Sequence, residues 1–283
     1  MSEAALRAFM ERHPRLLVLT GAGCSTASGI PDYRDADGAW KRTPPVQFRD
    51  FMGDVQTRRR YWARSMAGWT HFSGATPNAA HHALTALERQ GHVELLVTQN
   101  VDRLHQAAGS QRTLDLHGRL DQVRCMDCGR VTARADLQAQ LHERNPDWAW
   151  LRAAAAPDGD ADLRARDFSG FDVPDCVQCG GVLKPDVVFY GESVPAERVE
   201  TALRHLHRAN GLLVVGSSLM VYSGYRFALA AAQAGIPMAA VNLGRTRADE
   251  LLELKVVEYC ATALARLAEP ASCEGQTTEK RRI

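Results

Sequence analysis

A glycine-containing stretch over residues 20–34 holds side chains that are well suited to binding a nucleotide. It follows the apolar run 16–19, which predicts a buried strand because large apolar residues stand between a proline and glycines. Gly21 and Gly23 let the backbone turn tightly and come close to a ligand. Ser25 can cap a following helix, whose free N–H groups would attract a pyrophosphate. The stretch therefore predicts a nucleotide-binding loop, although an ordinary tight turn would use the same glycines.

This loop departs from the dinucleotide fingerprint of dehydrogenases. That fingerprint, G-x-G-x-x-G, requires glycine where this chain has Thr26. The acidic ribose ligand that follows the first glycine loop of a dehydrogenase is also not in place. A hydride-transferring enzyme is therefore disfavoured.

Four cysteines have the spacing of metal ligands. Cys125 and Cys128 form one C-x-x-C pair, and Cys176 and Cys179 form another. Two thiolates at this spacing can meet a tetrahedral zinc ion from one tight turn. Four sulfur ligands leave no open coordination position, so we expect a structural zinc that holds a segment without an apolar core of its own. Unrelated core cysteines or a redox pair are the alternative, because the two pairs lie farther apart than in an ordinary zinc ribbon.

The composition indicates a globular protein without a nucleic-acid or membrane partner. The 283 residues are 45% hydrophobic and carry a net charge of +1, whereas nucleic-acid-binding domains are usually strongly basic. The N-terminal residues lack the apolar region of a signal peptide, and the most apolar C-terminal stretch contains glycine and proline, which argues against a membrane span. Seven cysteines, four of them in metal-type pairs, indicate a reducing compartment, so we expect a cytoplasmic protein.

Alternating apolar runs and helical patterns predict an α/β fold. Strands are expected at residues 16–19, 93–97, 114–116, 187–189, 212–215 and 238–241, and helices at 55–72, 77–90, 134–144, 196–209 and 222–234. This alternation is typical of a doubly wound, Rossmann-like parallel sheet with helices on both faces. The polar runs that follow these strands are 21–25, 99–102, 216–218 and Asn242. They should converge beyond the carboxyl ends of the strands, where such sheets bind ligands.

Several motifs, taken in order, give the chain a resemblance to the sirtuin family of NAD-dependent protein-lysine deacylases. They are GAGCS at 21–25, SGIPDYR at 28–34, TQNVD at 98–102, LHG at 116–118, the two cysteine pairs, KPDVVFYGE at 184–192 and GSSL at 216–219. Within that family the chain is most similar to the class II branch, which contains a mitochondrial lipoamidase and ADP-ribosyltransferase. The segments RYWAR at 60–64, PDGD at 157–160 and VYSGYR at 221–226 carry this closer similarity.

The resemblance implies a division of the chain into modules. A Rossmann-like NAD-binding domain would comprise residues 1–34, 76–120 and 182–269. A cofactor loop and helical module would span 35–75, a smaller zinc-binding module with a long insert would span 121–181, and 270–283 would be a flexible tail. The insert at 130–175 is expected to reach the active site.

The resemblance also assigns residues to the binding of NAD. They are Gly21, Ala22, Gly23, Ser25, Asp32, Tyr33, Arg34, Gln99, Asn100, Val101, Asp102, Gly216, Ser217, Ser218, Asn242 and Cys260. Asn100 and Asp102 would hold the amide of nicotinamide, and Gln99 would meet ribose hydroxyls. In this family the acyl-lysine oxygen is thought to displace nicotinamide, which gives nicotinamide and O-acyl-ADP-ribose as products. His117 would be the catalytic base that takes a ribose hydroxyl proton, since imidazole titrates near neutral pH.

The substrate side follows from two further segments and one helix. By the resemblance, Val188, Phe189, Gly191, Met220 and Val221 would clamp an acyl-lysine protein by strand addition, which tolerates many sequences. Tyr61 and Arg64 stand three apart on a predicted helix and so share one face. They match a Tyr-x-x-Arg pair that holds an acyl carboxylate in some sirtuins, so we expect a preference for dicarboxylic acyl groups. A basic amphipathic helix with an exposed arginine is the alternative.

Two other functions use the same residues. A protein mono-ADP-ribosyltransferase would use the same NAD pocket, and the sequence does not separate it from a deacylase. A non-catalytic, NAD-sensing zinc module would be expected to lack His117, Asn100 or Asp102, and all three are present. His81, His82 and His105 are expected on the surface or on helix faces, and Cys24, Cys260 and Cys273 are expected to have unpaired thiols.

Overall fold

The computed structural model describes residues 2–41, 44–148 and 167–268. The α-helices are α1 (Ser2–Arg12), α2 (Phe48–Gly53), α3 (Val55–Ser73), α4 (Ala79–Arg89), α5 (Leu104–Ala107), α6 (Arg134–Arg144), α7 (Ala196–Leu206), α8 (Tyr222–Gln233) and α9 (Cys260–Ala268). The β-strands are β1 (Leu16–Thr20), β2 (Val93–Thr98), β3 (Thr113–Asp115), β4 (Gly118–Cys125), β5 (Val131–Ala133), β6 (Leu183–Val187), β7 (Gly211–Val215), β8 (Met238–Val241) and β9 (Leu254–Val256).

The larger sheet has six parallel strands in the order β3-β2-β1-β7-β8-β9. Strands β1, β7 and β8 are buried along their whole length, because both faces of the sheet are covered by helices. Helices α1, α4 and α9 form one core with the sheet, and α7 and α8 form another on the opposite face. The predicted Rossmann-like parallel sheet is confirmed.

The register of the central strands brings their carboxyl ends to one level. Thr20, the last residue of β1, pairs with Thr98 of β2 and with Val215 of β7. Val215 in turn pairs with Val241 of β8. The buried hydroxyl of Thr20 donates a 2.9 Å hydrogen bond to the hydroxyl of Thr98. The loops that follow these strands therefore start side by side.

A smaller antiparallel sheet, in the order β5-β4-β6, packs with the helical module. Val123 and Leu141 share a core with Phe51 and Trp62 of α2 and α3. The indole N–H of Trp62 donates to the carbonyl oxygen of Leu183 at 3.2 Å. The described part of the segment at 121–181, which carries the two cysteine pairs, thus shares a core with α2 and α3. This agrees with the sequence of that segment, which has too few apolar residues for a core of its own.

The strand expected at residues 187–189 of the parallel sheet is wrong. The structure has β6 here, and β6 pairs antiparallel with β4 from Cys125↔Leu183 to Gly118↔Val187. The sequence of β4 gives no apolar run, because charged residues interrupt its buried positions. Gly118 permits the pairing, since its φ is +85° and a Cβ there would lie 2.1 Å from the carbonyl oxygen of Asp186.

In the part of the chain that the structure describes, no helix is both long enough and apolar enough to cross a bilayer. The PDGD motif at 157–160, Cys273, the tail 270–283 and the middle of the insert, 149–166, lie outside the described residues. Whether the insert reaches the site, and where the modules divide, stay predictions.

Candidate active site

A cavity of about 1130 Å³ lies beyond the carboxyl ends of β1, β2, β7 and β8. Every cofactor-binding residue predicted from the sequence, from Gly21 to Cys260, lies in its wall, and so does His117. The polar runs after four strands therefore converge at one edge of the sheet, as predicted. The cavity exceeds the roughly 300–1,000 Å³ typical of pockets for one small ligand, so it has room for a dinucleotide and a substrate side chain.

The loops after β1 and β7 pack directly on each other. The N–H of Gly23 donates to the carbonyl oxygen of Gly216 at 2.9 Å. A Cβ on Gly21 would lie 2.8 Å from Cβ of Ser217. One on Gly216, whose φ is +61°, would lie 2.3 Å from the backbone nitrogen of Cys24. The loop after β1 and the loop after β7 can pack this closely because these positions have no side chains. The glycines also leave the backbone of both loops accessible from the cavity.

The expectation that Ser25 caps an α-helix is wrong. Two short 3-10 helices, Ala22–Cys24 and Thr26–Ser28, follow β1, and Ser25 makes no side-chain capping bond. Its hydroxyl donates instead to Oδ2 of Asp102 at 2.6 Å and accepts from the side-chain amide of Asn100 at 3.0 Å. Ser25 thus joins two residues of the loop after β2 to the loop after β1.

Asp102 is held by hydrogen bonds on both carboxylate oxygens. Oδ1 accepts from the backbone N–H of Leu104 at 2.9 Å, at the start of α5. Burial raises the pKa of Asp102 above its ordinary value, and the bonds from Ser25 and Leu104 oppose that shift. The side-chain amide of Asn100 also donates to the carbonyl oxygen of Gly21 at 3.0 Å. The geometry fixes both polar side chains at the cavity wall.

Gln99 connects the loop after β2 to the loop after β7 and to α8. Its side-chain amide donates to the hydroxyl of Ser217 at 2.7 Å and to the carbonyl oxygen of Thr20 at 3.3 Å. A Cβ on Gly224 would lie 2.4 Å from Oε1 of Gln99. Because residue 224 has no side chain, the first turn of α8 packs closely on the side-chain amide of Gln99 in its present position.

His117 has a defined tautomer in the cavity wall. Its Nδ1 lies 3.0 Å from the carbonyl oxygen of Gln99, and a carbonyl oxygen can only accept, so Nδ1 carries the hydrogen. In the neutral ring Nε2 then has the free lone pair, and it lies 2.8 Å from the hydroxyl of Ser223. Ser223 also lines the cavity. Sequence reasoning missed Ser223, whose only signal was its place in the VYSGYR segment.

The surroundings of His117 keep its ring neutral. Burial lowers the pKa of His117 to about 4, although the hydrogen bond to Gln99 opposes the shift. The positive charges of Arg198 and Arg226 lower that pKa further. Near neutral pH the ring is therefore unprotonated and able to accept a proton at Nε2.

The residues of the predicted cofactor loop form a cluster around Trp40. The Arg34 guanidinium lies 3.8 Å from the centre of the Trp40 ring, and Tyr33 meets the same ring edge-on at 6.2 Å. Asp32 forms an ion pair with Lys41. In this conformation Arg34 is stacked on Trp40 of its own loop, so its contact with NAD stays a prediction.

Both predicted substrate segments line the cavity. Val188, Phe189, Gly191, Met220 and Val221 all line it. The backbone N–H of Val188 donates to the carbonyl oxygen of His117 at 2.8 Å, which places this segment beside the candidate base.

The two residues proposed to read the acyl group are placed differently. Tyr61 is buried, lines the cavity, and has its ring centre 5.3 Å from that of Phe189. Arg64 is not among the cavity-lining residues of the described chain, although it shares α3 with Tyr61. The structure therefore brings Tyr61 to the cavity wall, whereas Arg64 does not line the cavity in this conformation.

His81 and His105 lie on helices α4 and α5, as one form of the expectation had it, but both are buried, so a surface position is wrong for them. Nδ1 of His81 accepts from the backbone N–H of Asn78 at 3.2 Å, and Nε2 of His105 lies 3.0 Å from the hydroxyl of Thr20. Burial lowers the pKa of His81 to about 4 and that of His105 well below its ordinary value. The two neutral rings lie beside the buried thiol of Cys24, behind the nucleotide loop.

The two cysteine pairs meet, and their geometry fits zinc. Sγ of Cys125 lies 3.5 Å from Sγ of Cys179, and Sγ of Cys128 lies 3.8 Å from Sγ of Cys176. All four sulfurs lie within 4.8 Å of one another. A tetrahedral zinc ion with Zn–S bonds of about 2.3 Å separates its sulfurs by about 3.8 Å. These four thiolates would therefore hold zinc without an open position for chemistry.

Comparison with known proteins gives consistent results. The Sir2 family model matches residues 21–223. An NAD-dependent protein deacetylase of Xanthomonas campestris pv. campestris (strain 8004) is 65% identical over 266 residues, which cover 94% of this chain and 91% of the relative. The human mitochondrial NAD-dependent protein lipoamidase sirtuin-4 is 49% identical over 262 residues, which cover 92% and 83%.

Solved structures of Sir2 proteins are also similar to this chain. A Sir2 complex with a p53 peptide and NAD+ matches with a TM-score of 0.77 and 28% identity, covering 94% of this chain and 97% of that one. The resemblance indicated by the motifs is thereby confirmed, and the chain belongs to the Sir2 family, the sirtuins.

Proposed function

We propose that this protein is an NAD-dependent protein-lysine deacylase, which releases nicotinamide and transfers the acyl group to ADP-ribose. The observation that carries the proposal is the neutral His117, which lines the cavity with Nδ1 fixed on Gln99. It shares the cavity with the loops that follow the parallel strands and with the segments at 188–191 and 220–221. Relatives at about two thirds identity are named NAD-dependent protein deacetylases, in agreement with this geometry.

The residues of the cavity fit NAD. Asn100 and Asp102 offer an amide and a carboxyl group, which together can pair with the amide of nicotinamide. Gln99, Ser217, Ser218 and Asn242 supply groups for ribose hydroxyls, and the tightly packed loop at 21–25 leaves backbone for the diphosphate. NAD supplies, when bound, a ribose carbon that becomes electrophilic as nicotinamide departs. We assign Tyr33 and Arg34 to covering that carbon, which excludes water from it.

His117 acts as the base of the reaction. Its Nε2 accepts the proton of a ribose hydroxyl, and the bond from Nδ1 to Gln99 keeps the ring in the tautomer that can do so. A pKa near 4 keeps this lone pair available throughout the neutral range.

The substrate is an acyl-lysine of a protein, held by the segments at 188–191 and 220–221. Main-chain pairing with these segments would give little selectivity for the sequence around the lysine. Tyr61 lines the cavity, and we propose that its hydroxyl contacts the acyl group and that acidic acyl groups are preferred. We also propose a cytoplasmic location, which the free thiols of the described chain support.

An NAD-consumption assay against a panel of acyl-lysine peptides tests the function. The wild type should consume NAD only with an acylated peptide and should form O-acyl-ADP-ribose, detected by mass spectrometry. His117→Tyr should lower that rate by about 100-fold or more. Modified protein without acyl-ADP-ribose would instead identify an ADP-ribosyltransferase, and no consumption of NAD would contradict catalysis altogether.

A further inference from the structure

The hydroxyl of Ser223 forms a hydrogen bond with Nε2 of His117, the atom that would act as the base in the proposed reaction. Since Nδ1 of His117 donates to Gln99, Nε2 must accept, and the Ser223 hydroxyl 2.8 Å away must be the donor. Both side chains line the cavity, so a hydroxyl-bearing ligand in the cavity can meet the serine oxygen as well as the imidazole. The serine hydroxyl thus offers a ligand hydroxyl a path to the base.

Three contacts of Gln99 place the start of α8 and the ring of His117 side by side. Ser223 lies in the first turn of α8, whose start packs on Gln99 because Gly224 has no side chain. The carbonyl oxygen of Gln99 fixes Nδ1 of His117, and the side-chain amide of Gln99 is itself fixed by Ser217. One residue therefore orients both the imidazole and the helix turn that carries the serine. A surface serine in chance contact would need none of this packing.

We propose that Ser223 relays the proton of the ribose hydroxyl to His117, an inference that rests on the proposed deacylase function. The ribose O–H bond breaks as a new O–H bond forms on Oγ of Ser223. The original O–H bond of Ser223 breaks as an N–H bond forms on Nε2 of His117. The ribose oxygen keeps the electron pair and becomes the nucleophile, the serine ends neutral, and the imidazole ends as imidazolium. A hydroxyl group suits this task because it donates and accepts at once.

Two rates measured on the full chain separate a relay from a structural role. Nicotinamide exchange reports the step before the base acts, and single-turnover formation of O-acyl-ADP-ribose reports the step that needs it. Ser223→Ala should leave exchange within about 2-fold of wild type and should slow product formation by about 10-fold or more. Ser73→Ala, an exposed serine at the end of α3, is the matched control and should change neither rate.

Mixtures of H2O and D2O give a second test that does not depend on a variant. If two protons move together, the wild-type rate of product formation should fall along a curve as the deuterium fraction rises, and Ser223→Ala should give a straight line. A straight line for the wild type would overturn the relay. So would a Ser223→Ala protein that forms product at the wild-type rate, or one that loses both rates equally. Failure of the wild type to form product from NAD and acyl-peptide would contradict the proposed function instead.

Discussion

The hydroxyl of Ser25 donates a 2.6 Å hydrogen bond to Oδ2 of Asp102 and so joins the loops after β1 and β2. The same hydroxyl accepts from the amide of Asn100. These three residues come from two motifs far apart in the chain, and they meet because Thr20 and Thr98 end neighbouring strands at the same level. A capping serine would have stabilised only its own helix, whereas this serine orders the predicted nicotinamide pocket.

Ser25→Ala should therefore weaken the use of NAD. The change leaves the Asp102 carboxylate and the Asn100 amide each without one partner, so both side chains lose their fixed positions. We expect kcat/KM for NAD to fall by about 10-fold and the free energy of unfolding to fall by about 1–3 kcal/mol. Steady-state kinetics and urea denaturation measure the two effects, with Ser73→Ala as the control. If Ser25→Ala had the KM and kcat of the wild type for NAD, Ser25 would have no part in binding NAD.

Buried neutral histidines should make the fold sensitive to acid. The pKa of His81 is about 4 in the folded chain against an ordinary value of 6.5, so the unfolded state takes up the proton first. The contribution of neutral His81 to the free energy of unfolding is therefore intact above about pH 6.5 and is lost as the pH falls toward 4. By pH 5 one such group lowers the free energy of unfolding by about 2 kcal/mol.

A pair of neighbouring variants tests this source of acid sensitivity. His81→Asn keeps an acceptor near the backbone N–H of Asn78 but does not titrate, so its free energy of unfolding should fall less steeply between pH 7 and pH 5. His82→Asn changes the next residue of α4, which is exposed; because the charge of His82 contributes less than burial to the lowered pKa of His81, this variant should keep most of the wild-type pH dependence. Equal slopes for His81→Asn and wild type would assign the acid sensitivity to other groups.

Removal of zinc should loosen the core beneath α3. The metal would tie together the turns that carry Cys125 and Cys176, and the core beside them includes Trp62 and Phe171. Since structural zinc contributes its binding energy to folding, a strong chelator should lower the melting temperature and change tryptophan fluorescence. Cys176→Ser should contain less than one zinc per chain by elemental analysis and should not recover when zinc is added back. If the chelator left the melting temperature of the wild type unchanged, the result would contradict a structural role for the metal.

The parts of the fold that the sequence predicted are those with local signals. The strands β1, β2, β7 and β8 are apolar runs, and the polar residues after them converge because parallel strands end at the same edge. The metal site was predicted because each pair of cysteines has the C-x-x-C spacing of metal ligands in the sequence itself. Such features follow from short stretches of sequence and from the topology of a doubly wound sheet.

The features that the sequence did not predict depend on tertiary contacts. Ser223 meets His117 across 106 positions, and nothing in the local sequence of α8 marks it. His81 and His105 are polar residues on short helices, and they are buried because each finds one backbone or hydroxyl partner inside. Strand β4 was hidden by its charged residues, which pair at the rim of the small sheet, as Arg124 does with Asp186.

The placement of Tyr61 and Arg64 leads to a prediction about acyl preference. Tyr61 lines the cavity and its ring packs on that of Phe189, whereas Arg64 does not line the cavity. Tyr61→Phe should lower kcat/KM for a glutaryl-lysine peptide by about 10-fold and leave the acetyl peptide within about 2-fold, since a hydrogen bond to a charged group contributes about 1.5–3 kcal/mol. Arg64→Ala should show the same selectivity if its guanidinium turns toward the carboxylate.

Arg60→Ala is the matched control for that prediction, because Arg60 is an exposed arginine on the same helix. It removes one positive charge from α3 without touching the cavity, so it should leave the ratio of glutaryl to acetyl efficiency unchanged. A loss that Arg60→Ala and Arg64→Ala share would reflect the general charge of the helix. Equal losses on both acyl groups for Tyr61→Phe and Arg64→Ala would show that this face of α3 supports the cavity wall without reading the acyl carboxylate.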